Sequence, residues 1–274
     1  MITTKPDRFA RTLETLGAWL LGLLWMLPLL YTVWTAFHPA IYATRFDPLA
    51  PLTLANLKAA WLAAPFTRYL INTVMLVTLI LAAQFVVCTL AAFAFARMVF
   101  PGRDLLFAVV LLQLMVMPEV LLVENYRTLV NLHLADTIVA IALPYLGSAF
   151  GIFLLRQTFL TVPQALDDAA RLEGCSLLAR LWRVYVPLAR PTYIAYGLVS
   201  VSYHWNNFLW PLVITNSVNT RPLTVGLAVF ATTDQGIDWS IVTAATLMTS
   251  MPLLVAFLLF QRQFVHSFMR AGIR

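Results

Sequence analysis

Charge is scarce in this sequence. Only 11% of its 274 residues are Asp, Glu, Lys or Arg, where a soluble domain carries about 25%. With 61% hydrophobic residues, the chain has more apolar surface than one soluble core can hide. That excludes a disordered tail and an ordinary cytosolic enzyme. Cysteine is scarcer still. Cys88 sits in an apolar run and Cys175 in a charged loop, with no CxxC pair, so neither a disulfide scaffold nor a zinc site is indicated. No G-x-x-x-x-G-K-[ST] phosphate loop is present, and none of the four His falls at H-E-x-x-H spacing,. Acids are outnumbered by bases, 12 to 18, for a net charge of +6 and a pI near 9.6. Nucleic acid is the usual suspicion for such a balance. Here the bases stand between long apolar runs, as they do on the cytoplasmic faces of membrane proteins, so no nucleic-acid partner is expected.

What the sequence does have is bilayer-length apolar runs, with a mean hydropathy of +0.82. About 20 apolar residues span the hydrocarbon as a helix. Such runs cover Thr15–Phe37, Tyr69–Ala96, Leu105–Val123, Thr137–Leu155, Thr192–Ile214 and Ile241–Phe260. The first follows Lys5, Arg8 and Arg11 but is too long for a cleaved signal core, so it reads as a retained helix. The expected fold is all-α and polytopic, with six transmembrane helices. Residues 1–14 form an N-terminus, 15–262 the transmembrane domain and 263–274 a tail. Thirteen bases from Lys5 to Arg274 fall on one side, against Arg45, Lys58, Arg68, Arg127 and Arg221 on the other. The majority side is the cytoplasmic one, which places both termini in the cytoplasm of a plasma-membrane protein.

The longest inside loop, 156–191, carries the strongest local signals. Pro163 stands in the first turn of a predicted helix, and Asp167 and Asp168 lie near its positive N-terminal end. Gly174 supplies a positive-φ stop. Ser176 caps a second short helix that carries Arg180 and Arg183 towards its end. Two short helices at a bend make a compact knob outside the bilayer.

Asp168-Ala169-Ala170, then Gly174, Val184, Val186 and Pro187 in register, resemble the Glu-Ala-Ala loop of ATP-binding-cassette importer permeases. Asp168 stands for the usual Glu, Glu173 for the usual Asp and Cys175 for the usual Ala. The resemblance continues through Asn72-Thr73, Ala91–Arg97, Phe100-Pro-Gly-Arg103, Trp205-Asn-Asn-Phe-Leu-Trp-Pro211 and Gln261–Val265, in the manner of the carbohydrate-type permeases. The ending Ala271–Arg274 departs from the usual one. The resemblance implies a type I importer permease whose Leu166, Asp167, Asp168, Ala169, Ala170, Glu173, Gly174, Cys175 and Ser176 form a coupling helix seated in an ATPase groove. It also implies an extracytoplasmic solute-binding protein that delivers the solute.

The absent phosphate loop puts ATP hydrolysis on separate subunits, a pair of them, which would hold ATP and magnesium. This chain is then expected to bind no cofactor and no metal and to catalyse nothing. Six helices are few for a whole path, so a second, homologous permease is implied, giving a heterodimer in the lipid. An ion-coupled carrier would pair acids with bases in the membrane, yet Glu119 is the one acid close to that depth. An intramembrane enzyme would need a catalytic cluster, but Ser202 and His204 are two apart and point away from each other on a helix.

Glu119 beside Pro118, Phe153–Gln157 and the Trp205–Pro211 run most resemble permeases for sn-glycerol-3-phosphate. The expected solute is that compound or a glycerophosphodiester, with a neutral sugar or polyol as the alternative. Polar groups at membrane depth are candidates for the path: Glu119, Asn125, Tyr126, Tyr203, Trp205, Asn206 and Asn207. Aromatic rings beside paired amides suit a polyol. The same amides can instead bind helix to helix, which is the reading given to Gln84.

Overall fold

The computed structural model describes residues 8–43, 45–231 and 238–272, with side chains between 12 and 261 apart from 229 and 231. Lys5 and Arg274 therefore lie outside the described residues. The same holds for the side chains of the Arg262–Val265 match and of the divergent ending, Ala271–Gly272.

The helices in chain order are α1 Arg8–Ala36, α2 Ala55–Ala63, α3 Phe66–Arg97, α4 Arg103–Leu112, α5 Leu122–Asn131, α6 Ile138–Ala142 and α7 Ala149–Thr161. They continue as α8 Gln164–Leu172, α9 Leu177–Arg180, α10 Val186–Leu188, α11 Arg190–Trp205, α12 Leu209–Ile214, α13 Leu223–Leu227 and α14 Trp239–Gly272. No strand occurs among the described residues. The all-α expectation is met.

Of the six expected spans, length and composition mark up to five among the described residues. Among the described residues, three helices are long and apolar enough to cross a bilayer: Thr12–Ala36, Phe66–Arg97 and Trp239–Gln261. Two broken pairs raise this to five if each is one span. The first, Arg103–Met115 with Pro118–Asn131, bends by 92°. Pro118 offers no N–H, and Met117 before it is forced extended (φ −69°, ψ 133°),. The second, Ile138–Tyr145 with Ala149–Thr161, bends by 49°, and Ser148 restarts the helix by accepting the Gly151 N–H at 3.2 Å,. The fifth run is divided between α11, of 16 residues, and α12, parted by Asn206–Phe208, and neither helix alone reaches the length of a span,. Pro28 and Pro252 do not interrupt α1 and α14.

The chain divides into two compact units. One takes in the chain up to Ala64 together with Leu227–Ser250. There α1 is exposed from Thr12 to Tyr31, Trp25 being 78% exposed, and buried at Thr35 and Ala36. The end of α1 is closed by Asn56 of α2, whose amide donates to the carbonyls of Ala36 (3.1 Å) and His38 (2.7 Å). Those carbonyls have no partner inside the helix, so a side chain from elsewhere has to supply one.

The other unit holds Pro65–Gly226 and the chain from Met251, and its frame is α3 against α7. One apolar cluster joins Phe93 and Ala96 of α3, Leu155 and Phe159 of α7, and Leu181 and Tyr185 of the long loop. A second gathers Leu76 and Ile80 with Ile141, Trp210 and Ile214. Close approach needs Gly151, where a Cβ would lie 2.5 Å from Tyr196 Cζ. At the far end of α3, Asn72 donates to the carbonyls of Asn219 (2.8 Å) and Arg221 (2.9 Å), and Thr73 accepts the Leu223 N–H. The Asn72-Thr73 pair thus ties a loop down. Asp136, at φ 59°, fixes the same loop through the N–H groups of Asn216 and Ser217 and the Thr220 hydroxyl. Burial would raise its carboxyl, but these donors outweigh that and hold it at about 2,.

Candidate functional site

The loop 156–191 folds into the expected knob. Helix α8 begins after Pro163, which occupies the capping position (ψ 133°) instead of the first turn. It ends in a paired-bond motif: Cys175 N–H to Ala170 carbonyl (3.0 Å) and Gly174 N–H to Arg171 carbonyl (2.9 Å). Gly174 takes φ +76°. That conformation suits glycine because a Cβ would crowd the carbonyl. Ser176 then accepts the Ala179 N–H at 3.3 Å and starts α9. Glu173 stands at the C-cap.

The two adjacent acids lie on different faces of α8. Asp168 is exposed and Asp167 is buried. Neighbours on a helix point about 100° apart, so one apolar stripe can take only one of them. Asp167 Oδ2 accepts from Arg171 at 3.0 Å and from Arg180 at 2.8 Å, and Arg180 is itself buried. Asp167 and Ala170, expected on the outward face, are therefore buried together with Arg180. What the knob presents outward is Leu166, Asp168, Ala169, Glu173, Ser176 and Leu172, the last 91% exposed. Cys175 is partly covered. Beneath lies Tyr185, which ends a π-helical turn, Leu181–Tyr185. Burial pushes its hydroxyl up to about 12, the Arg97 guanidinium pulls it down, and the Asp167 carboxylate adds to the rise.

A cavity of about 480 Å³ opens where the broken helices meet, within the usual range of ligand cavities, about 300–1,000 Å³. Of the expected path residues, Glu119, Asn125, Tyr203 and Asn207 line it. The structure does not bring Tyr126, Trp205 or Asn206 to it. Trp205 is buried elsewhere, and Asn206 turns back to donate to the Ser202 carbonyl at 2.8 Å. Asn207 donates to the Tyr145 hydroxyl at 2.9 Å.

The wall's hub is Gln84, read from the sequence as helix–helix adhesion. It both binds helices and faces the cavity. Its Oε1 accepts from the hydroxyls of Tyr196 (2.8 Å) and Ser200 (2.6 Å). Its Nε2 donates to the Tyr145 carbonyl at 2.8 Å and lies 3.3 Å from His204 Nε2. His204 Nδ1 is buried without a protein partner. The sequence reading missed Gln113, Tyr145, Ser148, Tyr196 and Ser200 in the wall. An available signal was that Gln84 and Ser200 are polar residues inside apolar runs. Among the described lining residues none is Lys or Arg, and Glu119 carries the one carboxylate. No cluster of His, Cys, Asp and Glu able to hold a metal occurs among the described residues.

Residues 4–268 match the family model described as a binding-protein-dependent transport system inner membrane component. The chain is 30% identical over 277 residues to the arabinooligosaccharides transport system permease protein AraQ of Halalkalibacterium halodurans, covering 98% of this chain and 99% of that one. It is 31% identical over 281 residues to the sn-glycerol-3-phosphate transport system permease protein UgpE of Shigella flexneri, covering 97% of each. In fold it is similar to a chain of a bacterial ATP-binding-cassette transporter involved in import of the acidic polysaccharide alginate. That match has a TM-score of 0.83 at 20% identity over 96% of this chain and 100% of that one.

Proposed function

The chain belongs to the family of binding-protein-dependent transport system inner membrane components, and on that premise we propose how this sugar-importer permease grips its motor and which solute it passes. It is a multi-pass membrane permease subunit. It works with a second permease, a pair of ATPase subunits and an extracytoplasmic binding protein, and ATP and magnesium are bound on the ATPase. The coupling surface is the outward face of α8 and the following turn. The observation that carries this is the exposure of Leu172 and Asp168 on a helix stopped by Gly174, in a chain with no phosphate loop of its own.

For the solute, the cavity chemistry favours a neutral, hydroxyl-rich carbohydrate. Amides and hydroxyls bond hydroxyl groups, and tyrosine faces cover C–H surfaces. A phosphate dianion would shed water here beside Glu119 with no cation among the described lining residues to receive it, a large penalty,. The similarity to glycerol-3-phosphate permeases supports the second reading, in which the partner permease supplies that cation.

Reconstitution of the full complex in vesicles separates the two. ATP-dependent uptake of a neutral oligosaccharide, with glycerol phosphate excluded, is the expected result; the reverse overturns the neutral reading. In the same assay Asn207→Ala lowers uptake roughly 2- to 13-fold, the effect of losing one hydrogen bond of about 0.5–1.5 kcal/mol. Asn206→Ala, outside the cavity, leaves uptake near wild type. Equal losses in both would remove Asn207 from the path.

Orientation is tested by labelling in a Cys88→Ser, Cys175→Ala background. An impermeant thiol reagent on sealed cells should modify Thr53→Cys and Asn219→Cys and spare Ser176→Cys. Labelling of the last from outside would invert the topology.

A further inference from the structure

Arg97 is the last residue of α3, and it reaches away from its own helix. Its Nη2 donates to the carbonyl of Phe159, at 2.8 Å, and to that of Val162. Phe159 lies in the last turn of α7, where its carbonyl also accepts the capping Val162 N–H at 3.3 Å. Val162 is the joint between α7 and Pro163, held extended (φ −66°, ψ 125°) as a residue before proline must be. One guanidinium therefore clamps the point from which α8 departs.

The same guanidinium lies 5.2 Å from the centre of the Tyr185 ring, a cation–π distance. Tyr185 is fully buried and stands edge-on to Phe93 of α3 at 5.1 Å and to Phe159 of α7 at 5.6 Å. The π-helical turn that Tyr185 ends begins next to Arg180, whose guanidinium holds Asp167 of α8 at 2.8 Å. So α8 is attached twice, through the chain at Val162–Pro163 and through space by Asp167, Arg180 and Tyr185. Arg97 touches both attachments. It forms no ion pair among the described residues, and its Nε is buried without a partner. A guanidinium so placed, facing carbonyls and a ring, is there to hold position.

We propose that Arg97 is a positioning residue for coupling: it fixes both attachments of α8 to the ends of α3 and α7, so that movement imposed on α8 reaches the helices lining the cavity instead of bending the loop. This rests on the reading of residues 166–176 as the coupling surface.

The test uses the whole complex in vesicles and reads solute taken up per ATP hydrolysed. Arg97→Met is expected to assemble and to hydrolyse ATP, with that ratio down roughly tenfold or more, the scale set by losing charged hydrogen bonds. Arg97→Lys, which keeps the charge and the donors, should recover part of it. A merely structural role would lower yield and leave the ratio alone. A wild-type ratio in Arg97→Met overturns the proposal. Should that variant fail to assemble, Asp167→Asn, nearly isosteric, carries the same test: a reduced ratio supports the proposal and a wild-type ratio overturns it. Gly174→Val in the same preparation keeps the two readings apart. If it retains full stimulation, the coupling surface itself is misassigned. If it uncouples while Arg97→Met does not, only the role of Arg97 falls.

Discussion

Gly174→Val and Asp168→Lys are expected to insert normally and to lose the stimulation of ATP hydrolysis by loaded binding protein. At Gly174 the cause is the backbone alone. A Cβ there would meet nothing within 4 Å, but φ is +76°. A β-branched residue in that region costs about 1–3 kcal/mol, and relief of the strain would unwind the turn that ends α8 and reposition Leu172. Asn tolerates this conformation far better, so Gly174→Asn should keep most of the stimulation that Gly174→Val loses. Equal loss in both would point to a contact made by the glycine itself. Asp168→Lys acts differently: the side chain is exposed, so the change leaves the fold in place and inverts the charge shown to the ATPase. ATPase activity with and without loaded binding protein, together with subunit recovery on purification, reads both effects. Wild-type stimulation with the complex intact would remove the loop from the coupling path.

Gln84→Leu should damage stability and transport together. The side chain is buried and serves four groups, from the hydroxyls of Tyr196 and Ser200 to the Tyr145 carbonyl and the His204 ring. Leucine fills a similar space but accepts nothing. The two hydroxyls lose their acceptor, and at about 1–3 kcal/mol for each buried orphan the loss is about 2–6 kcal/mol. The wall of the cavity would rearrange, so uptake falls even in the fraction that assembles. Thermal unfolding of the purified complex and uptake in vesicles measure the two parts. Unchanged melting would mean that the hydroxyls find other acceptors and that Gln84 is not the hub described.

The sequence by itself determined what is local. Runs of apolar residues set which segments meet the bilayer, because hydrocarbon length and residue hydropathy suffice for that. Gly174, Ser176 and the acid-rich start of α8 fixed a helix, its stop and the next start, since capping uses atoms within a few residues. Even a four-residue helix after Ser176 was legible for that reason. Tertiary structure decided what depends on partners far along the chain. Asp167 and Asp168 are the same residue type in adjacent positions, and only Arg180, 13 residues on, makes one a buried ion-pair member and leaves the other facing out. Tyr145 and His204 lie 61 and 120 residues from the Gln84 amide they share, and the three become one wall because broken helices bring them together. The breaks at Pro118 and at Asn206–Phe208 could be suspected from residue type. How far they turn the chain, and so which polar side chains reach the cavity, is set by the packing of α7 against α3 and α11, where the close approach of Tyr196 that Gly151 permits has no counterpart in any local pattern.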